Sequence, residues 1–234
     1  MNKENILFGV IGLLAGLIVG FMGANYLNRN AVAQPGAAAA VNQMGLPADH
    51  PAIPGQPGQA PAASMEEVQA AIAAADKDPN NFDAQIKAGD LHYQIQQYDN
   101  AIKYYTQANK IQPDNYQVIV ALGNANFDSS KFDEAESWYD KALASKPDDV
   151  SVRTDKGLTY IFRQPPDYDK AITEFSKSLE VNPTHPQTLQ NLVVAYTKKG
   201  DAQNANATLA RLEAADPQNQ TIPKLKEEIA KIGQ

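Results

Sequence analysis

Five prolines recur at nearly constant spacing, and no other feature constrains the fold of this chain as strongly. Pro79, Pro113, Pro147, Pro183 and Pro217 lie 34, 34, 36 and 34 residues apart. Proline cannot continue a helix, and it disfavours helical geometry in the residue before it. A repeat of this length with a helix breaker at its end is typical of stacked helix-turn-helix units. A single unit cannot bury its own apolar face, so the spacing predicts an all-α solenoid in which the units pack on one another.

Four kinds of residue recur within the period: a glycine in the first helix of three units, an aromatic residue followed by aspartate, an alanine, and a large side chain in the second helix. In chain order they are Gly89, Gly123 and Gly157; Tyr98-Asp99, Phe132-Asp133 and Tyr168-Asp169; Ala101, Ala135, Ala171 and Ala205; and Tyr105, Tyr139, Phe175 and Leu209. A glycine lets two helices approach to the ~8–10 Å interaxial distance, while the large side chain fills the space beside it. This pattern resembles the tetratricopeptide repeat (TPR) family over residues 79–217.

The resemblance implies a right-handed TPR superhelix of about four helix-turn-helix repeats. The repeats begin at Phe82, Tyr116, Val150 and Pro186. After the prolines, Asn80, Asp114 and Asp148 are predicted to cap the next helix. Residues 163–167 replace a shorter turn in the third unit, so we predict an exposed bump there.

Short helices are predicted at both ends of the repeats. Ser64 and Glu67 have capping-box spacing, which predicts an N-terminal capping helix, a half repeat, within residues 64–78. An apolar stripe at i, i+3 and i+7 predicts a C-terminal capping helix within residues 218–234. The stripe consists of Ile222, Leu225 and Ile229.

Residues 1–29 have the properties of a membrane anchor. No charged residue occurs from Ile6 to Ala24, and this stretch is long enough to cross a ~30 Å hydrocarbon layer. We therefore predict a transmembrane helix at about residues 6–27. The alternative is a cleaved secretory signal with a small-x-small site at residues 31–33, but the apolar stretch exceeds the ~7–15 residues of a signal core.

Gly12, Gly16 and Gly20 repeat on one face of the predicted anchor helix. Small residues spaced by four let membrane helices touch, so we predict a contact here, either in a homodimer or with another membrane protein. The alternative is that glycine is simply common in membrane helices. Residues 30–63 are rich in Ala, Pro, Gly and Gln and lack the aliphatic density of a core, so they are predicted to be a disordered tether.

Charge and composition argue against several functions. Lys3 and Arg29 cancel Glu4 and Asp49, so the formal net charge of −7 belongs to the residues after the tether. An acidic surface is repelled by phosphates, so nucleic acid is not expected as a partner. The chain has no cysteine, which excludes disulfides and thiolate metal sites. Metal-ligand spacings, phosphate-binding loops and nucleophile motifs are missing, so we expect no cofactor, no metal and no catalytic activity.

In TPR proteins the first helix of each unit lines the concave face, so the resemblance implies a groove that binds a protein or peptide client. The predicted groove residues are Ile86, Asp90, Gln117, Val120, Asn124, Phe127, Thr154, Leu158, Phe162, Gln190, Asn191 and Val194. Some relatives bind a terminal carboxylate with lysine, asparagine and arginine at set positions of this face. Here Ile86 and Asp90 replace the first lysine and asparagine of that clamp. Ser151 and Asp155 replace a later lysine and arginine, so the clamp is absent.

We predict instead a mixed apolar and amide groove. Asn124, Gln190 and Asn191 would hold the backbone of an extended peptide, and apolar neighbours would accept its side chains. The alternative is that a partner binds the convex face and that these are ordinary surface residues.

Two functions are compatible with this layout. The first is a non-catalytic, membrane-tethered TPR adaptor or chaperone-like scaffold. It would be a single-pass protein of the bacterial inner membrane with its C-terminal domain in the periplasm, because an uncharged tether suits an extracytoplasmic domain. Its layout is similar to that of anchored envelope TPR proteins that act in cytochrome c maturation or protein export, and no residue selects between these. The second is a self-associating structural scaffold or an accessory subunit of a larger membrane complex.

Overall fold

The computed structural model describes residues 65–232, in which ten α-helices and no strand occur. In chain order they are α1 (Met65–Lys77), α2 (Phe82–Gln94), α3 (Tyr98–Ile111), α4 (Tyr116–Asp128), α5 (Phe132–Ser145), α6 (Val150–Phe162), α7 (Tyr168–Val181), α8 (Pro186–Lys199), α9 (Ala202–Ala215) and α10 (Ile222–Ala230). The predicted all-helical repeat array is confirmed, and α2, α4, α6 and α8 begin at the four predicted residues. In the turn between α6 and α7, Gln164, Pro165 and Pro166 are exposed, as predicted for the bump.

The predicted membrane anchor at residues 6–27, with Gly12, Gly16 and Gly20, lies outside the described residues. So does the predicted tether at residues 30–63. Within residues 65–232, no helix combines the length and the apolar character needed to cross a bilayer. The anchor therefore stays a prediction.

Side-chain caps open the first helix of every unit, but one residue later than predicted. The side chains that accept a hydrogen bond from the backbone N–H three residues on are Asn81, Asn115, Asp149 and His185. Asn80, Asp114 and Asp148 each lie one position too early, because the proline opens a four-residue turn. The N–H of Asn115 donates to the carbonyl of Gln112 at 3.2 Å and closes one such turn. The fourth turn residue, Asn115, has the extended backbone of an N-cap.

A fully buried ring on the second helix fills the interior of each of the first three units. These rings belong to Tyr105, Tyr139 and Phe175. Each lies against the glycine of its own first helix, and a Cβ atom on Gly123 would lie 2.5 Å from a ring carbon of Tyr139. In the fourth unit Val193 replaces the glycine and the smaller Leu209 replaces the ring. The two positions therefore change together, so that their combined volume fits the same space.

The first helices of successive units pack directly on one another, α4 on α6 and α6 on α8. The second helices pack chiefly on the first helices beside them. Closer spacing on one side curves a stack toward that side, so α2, α4, α6 and α8 line the inner face. The end helices complete the stack, since α1 packs on α2 while α10 packs on α9 and α8. The apolar stripe of α10 is buried, as predicted.

The third unit contains charged residues where the second unit has an apolar cluster. Arg153, Lys156 and Glu174 occupy the positions of Ile119, Leu122 and Trp138. The side chains of Arg153 and Glu174 are only 16% and 8% exposed, and that of Lys156 is 12% exposed. We refer to Arg153, Lys156 and Glu174 as the charge cluster.

Glu174 lies at the centre of the charge cluster. Its Oε2 lies 3.1 Å from Arg153 Nη1, and its Oε1 lies 3.5 Å from Lys156 Nζ and 3.0 Å from Lys177 Nζ. Burial alone would raise the pKa of Glu174, but the hydrogen bond and charge of Lys177, with Lys156 and Arg153, outweigh burial and hold this pKa below its ordinary value. The carboxylate is therefore charged at neutral pH, and buried Arg153 depends on it. Lys156 has a second and nearer carboxylate, since its Nζ lies 2.7 Å from Asp140 Oδ1.

Candidate binding site on the inner face

The twelve predicted groove residues all lie on the four first helices, but they differ widely in accessibility. Seven of them are buried, namely Val120, Asn124, Phe127, Thr154, Leu158, Gln190 and Asn191. Ile86, Asp90, Phe162 and Val194 are half-buried, and Gln117 is exposed. A buried side chain offers a client little surface, so we expect side-chain contacts chiefly from these last five. Client binding itself stays a prediction for all twelve.

Two of the amides predicted to hold a peptide backbone already bond within the domain. Asn124 Oδ1 accepts a hydrogen bond from the Tyr139 hydroxyl at 2.9 Å. Gln190 Oε1 accepts from the Thr221 hydroxyl at 3.0 Å, which ties α8 to the residue before α10. Their carbonyl oxygens therefore stabilise the stack.

The position after the glycine varies together with the large residue of the second helix. The four pairs are Asp90 with Tyr105, Asn124 with Tyr139, Leu158 with Phe175, and Val194 with Leu209. The Tyr105 hydroxyl donates to Asp90 Oδ1 at 2.7 Å, as that of Tyr139 does to Asn124. A buried hydroxyl needs an acceptor, whereas Phe and Leu do not. The polar residues of the first two units are therefore matched to their tyrosines.

Asp90 carries a carboxylate in a poorly solvated position. Burial raises its pKa from the ordinary 3.8 to about 6, and the hydrogen bond from Tyr105 opposes this rise only in part. Because the folded-state pKa is above the unfolded value, the folded protein binds a proton that the unfolded chain releases between roughly pH 4 and 6. This group therefore destabilises the domain progressively as pH rises through that window.

We expect Asp90→Asn to raise the free energy of unfolding at pH 7 to 8 by up to about 3 kcal/mol, and to leave it nearly unchanged at pH 4. Asparagine fits because Asn124 fills the corresponding place in the second unit. The measurement is urea denaturation of variant and wild type from pH 4 to 8. The reciprocal variant Asn124→Asp should introduce the same loss of stability with rising pH. A constant difference between Asp90→Asn and wild type across this range would contradict the shifted pKa.

Asn191 differs from the other two amides because the domain leaves one of its groups unsatisfied. The residue is 3% exposed, and its Nδ2 has no hydrogen-bond acceptor among the described residues. A buried donor without an acceptor costs about 1–3 kcal/mol. Half-buried Val194 lies one helical turn along α8, and half-buried Phe162 ends the neighbouring helix α6.

A second surface was not predicted from the sequence. It is the turn edge, which we define as the turns that join the two helices of each unit, residues 95–98, 129–132, 163–168 and 200–201. A concavity of about 1010 Å³ lies between the turns of the second, third and fourth units. A smaller one of about 490 Å³ lies between the turns of the first and second units. The only sequence signal was the predicted bump, whose residues 163–167 line the larger concavity.

Ion pairs join successive turns along the turn edge. Lys131 Nζ lies 2.6 Å from Asp99 Oδ1, Arg163 Nη2 lies 2.8 Å from Asp133 Oδ1, and Lys199 Nζ lies 2.5 Å from Asp169 Oδ1. In each case a cation in a turn, or in the helix residue just before it, pairs with an aspartate at the second-helix start of the preceding unit. The aspartates are largely exposed, so these pairs contribute more to neutralising the edge than to stability.

Aromatic rings connect the turn edge to the inner face. Phe132 lies 5.5 Å from Phe127 in an edge-to-face arrangement and 6.3 Å from Phe162 in a stacked one, measured between ring centroids. Phe132 also lines the larger concavity. The same cluster thus forms part of both surfaces.

Family models agree with this repeat geometry. One model of the tetratricopeptide repeat matches residues 96–154 and 166–229, and a second matches residues 62–116. The chain belongs to the tetratricopeptide repeat family. The TPR domains of this family are generally scaffolds for protein interaction.

Solved structures share the TPR fold at low sequence identity. MamA from Desulfovibrio magneticus RS-1 is 17% identical with a TM-score of 0.59, over 66% of this chain and 86% of that one. A thermophilic TPR protein in Thermus thermophilus, TTC0263, is 15% identical with a TM-score of 0.54, over 70% and 89%. PilW, a widely conserved type IV pilus biogenesis factor, is 21% identical with a TM-score of 0.60, over 70% and 76%.

At these identities the likeness concerns the fold alone. No curated protein sequence matches the chain significantly. Among residues 65–232, no group of three His, Asp or Glu side chains is placed to hold a metal ion.

Proposed function

We propose that this TPR domain is a non-catalytic scaffold that binds an extended segment of a client protein on its inner face. The observation that carries the proposal is Asn191, whose buried Nδ2 has no acceptor within the described domain. The donor is buried in the described structure, so the Asn191 side chain would have to turn toward the inner face, where a backbone carbonyl of an extended client would satisfy it. Nearby, Phe162 and Val194 offer half-buried apolar surface for its side chains.

The exposed and half-buried groove residues would extend this contact along the stack. Ile86 on α2 and Gln117 on α4 are accessible, and Lys87 is exposed beside Ile86. The client would thus meet both apolar and polar groups along successive first helices. The carboxylate clamp remains absent, so the free carboxyl terminus of a client is not expected to be the group recognised.

We further propose that residues 6–27 anchor the scaffold in a membrane, with the domain outside the cytoplasm. The support is the uncharged apolar stretch from Ile6 to Ala24 and the uncharged character of most of the tether. In this setting the client would belong to an envelope complex, of which cytochrome c maturation and protein export are examples. Gly12, Gly16 and Gly20 would then provide a contact between anchor helices.

The test is photo-crosslinking in native membranes from probes at Gln117 and Val194, with a probe at exposed Lys226 on α10 as the control. We expect one dominant foreign protein to be captured from the inner face and not from α10. Adducts with the chain itself would support the alternative of a self-associating scaffold. No adduct from either inner-face position would overturn inner-face binding.

We expect Asn191→Ala to weaken the affinity for the captured client by about two- to tenfold, which is the range that one neutral hydrogen bond contributes. Calorimetric titration measures the affinity. The matched control is Asn206→Ala on α9, because Asn206 is exposed and its Nδ2 donates to the carbonyl of Ala202 within its own helix. Equal affinities for the two variants would remove Asn191 from the site.

A further inference from the structure

The cap of α8 differs chemically from the caps of the other three first helices. In those helices the cap acceptor is a side-chain oxygen, on Asn81, Asn115 and Asp149. In α8 the acceptor is Nδ1 of His185, which lies 3.3 Å from the backbone nitrogen of Thr188. A neutral imidazole has one acceptor nitrogen, and a protonated ring has none. Because histidine ordinarily changes its charge between pH 5 and 8, acid can remove this cap while the asparagine caps keep their acceptors.

Buried hydroxyl groups lead from the α8 cap into the third unit. Thr188 Oγ1 lies 2.7 Å from Nδ1 of His185 and 2.6 Å from Thr154 Oγ1. Thr154 Oγ1 lies 2.7 Å from the carbonyl oxygen of Val150, and Ser178 Oγ lies 3.3 Å from the same oxygen. The three residues that carry these hydroxyls are each no more than 1% exposed. We refer to Thr188, Thr154 and Ser178 as the hydroxyl chain.

The hydroxyl chain has no counterpart in the first two units. The corresponding positions there carry apolar side chains, namely Ala84 and Val118 for Thr188, Ile86 and Val120 for Thr154, and Ala108 and Ala142 for Ser178. A buried hydroxyl costs free energy unless it has a hydrogen-bond partner, so these groups are stable here because they bond to one another. The hydroxyl chain thus lies at the junction of the third and fourth units, where the cap is a histidine.

The protonation of His185 determines the direction of hydrogen bonding in the hydroxyl chain, because each hydroxyl has a single proton to donate. An unprotonated Nδ1 accepts from Thr188, which in turn accepts from Thr154. The carbonyl of Val150 then accepts from Ser178. A protonated Nδ1 donates to Thr188, which donates to Thr154, and Thr154 donates to that carbonyl. Each hydroxyl keeps a partner in both arrangements, but the N–H of Thr188 has its side-chain acceptor only in the first.

We propose that His185 is a proton-controlled cap that couples acidity to the junction between the third and fourth units. Protonation removes the acceptor of the Thr188 N–H. It also puts a positive charge at the start of α8, where the helix already carries a positive partial charge. Both effects loosen the first turn of α8, and the reversed hydroxyl chain carries the change to Val150 at the start of α6. The cap is complete near pH 8 and is lost as pH falls toward 5, whether or not a client is bound.

Charged groups on the neighbouring elements shift the pH at which this cap is lost. At this end of the stack they are Asp149, Arg153 and Asp155 beside or on α6, Glu174 and Glu180 on α7, Arg211 and Glu213 on α9, and Lys224 and Lys226 on α10. Arg211 contacts the turn itself, since its Nη2 donates to the carbonyl of Pro183 at 3.1 Å. The acids favour a charged ring and the cations oppose it. Their sum sets the midpoint of the change, whereas the loss of an acceptor fixes its direction.

Amide hydrogen exchange in the full-length chain, resolved by NMR and corrected for the intrinsic rate at each pH, measures the cap. We expect the protection of the Thr188 and Leu189 amides to fall about fivefold between pH 7.5 and pH 5, which is the effect of losing one typical N-cap. The Val118 amide is the internal control, because it donates to the Asn115 side chain. Its protection should not fall in acid.

Two variants separate the cap from the hydroxyl chain. His185→Asn introduces the cap residue of the first two units, so the first turn of α8 should be equally protected at both pH values. Thr188→Val introduces the residue of positions 118 and 152, which interrupts the hydroxyl chain and keeps the backbone N–H for the cap. We expect the carbonyl carbon of Val150 to change its chemical shift with pH in the wild type and not in Thr188→Val. The first turn of α8 should still lose protection in acid in that variant.

Three results would overturn the proposal. Unchanged protection of α8 in the wild type would mean that acid does not remove the cap. An equal loss in His185→Asn would assign the response to another group, such as Asp90, whose pKa is raised to about 6. A Val150 shift that is absent from the wild type, or that persists in Thr188→Val, would disprove coupling through the hydroxyl chain.

Discussion

Replacing Glu174 with alanine should lower the free energy of unfolding by about 3 kcal/mol, because buried Arg153 would lose its carboxylate partner. Lys156 would keep its shorter contact, at 2.7 Å, with Asp140. The side chain of Arg153 is only 16% exposed, so water cannot fully replace that partner. Arg153 also donates from Nη2 to the carbonyl of Pro147 at 2.7 Å, which fixes its position and prevents it from turning outward freely. Urea denaturation followed by circular dichroism gives the midpoint and the slope, and hence the change in stability.

The second unit supplies the matched control. The triple variant Arg153→Ile, Lys156→Leu and Glu174→Trp places the residues of positions 119, 122 and 138 in the third unit. Because a packed apolar cluster often equals or exceeds a buried ion network in stability, we expect this variant to be at least as stable as the wild type. A loss of less than about 1 kcal/mol for Glu174→Ala would mean that Arg153 is solvated in the absence of the carboxylate.

Gly123→Val should cost about 3 kcal/mol or more, because it inserts atoms where a buried ring already lies. Even a Cβ would lie 2.5 Å from Cε1 and 2.7 Å from Cδ1 of Tyr139. The ring cannot move aside easily, since it is fully buried and its hydroxyl is bound to Asn124. Thermal and urea denaturation should both show the loss.

Two further variants separate crowding from backbone effects. Adding Asn124→Val and Tyr139→Leu to Gly123→Val gives a triple variant with the residues that the fourth unit has at these positions, Val193, Val194 and Leu209. We expect this triple variant to recover most of the stability lost in Gly123→Val. Gly200→Ala is the control in open space, because a Cβ there meets nothing within 4 Å. Its φ of 82° still disfavours alanine, so a cost of about 1–2 kcal/mol is expected. Failure of the triple variant to recover would show that volume is not the cause.

The sequence predicted the repeat units well because their signals are local. The residues Phe82, Tyr116, Val150 and Pro186 were identified as unit starts from the proline period, and helices begin at each. The caps were placed one residue early because a proline-opened turn needs four residues, which composition alone does not indicate. Membrane anchor and tether stay predictions, since residues 1–64 lie outside the described range.

Accessibility on the inner face was harder to predict, because it depends on contacts between helices. The repeat alignment places Asn124 at a groove position, yet its Oδ1 accepts a hydrogen bond from the hydroxyl of Tyr139, 15 residues later. Gln190 bonds to Thr221, 31 residues later. The turn edge was missed for the same reason, since its concavities arise between turns about 34 residues apart, and a single turn carries no sign of them.

The pairing of tyrosine hydroxyls with Asp90 and Asn124 has a consequence for how such arrays evolve. Both partners of each pair lie 15 residues apart inside one unit. Duplication or loss of a whole unit therefore never separates a hydroxyl from its acceptor. Recombination between the two helices of a unit would combine, for example, Leu158 with a tyrosine and leave a buried hydroxyl unsatisfied. Viable crossovers in this lineage should consequently fall at the prolines, which end the units, and be rare in the turns within them.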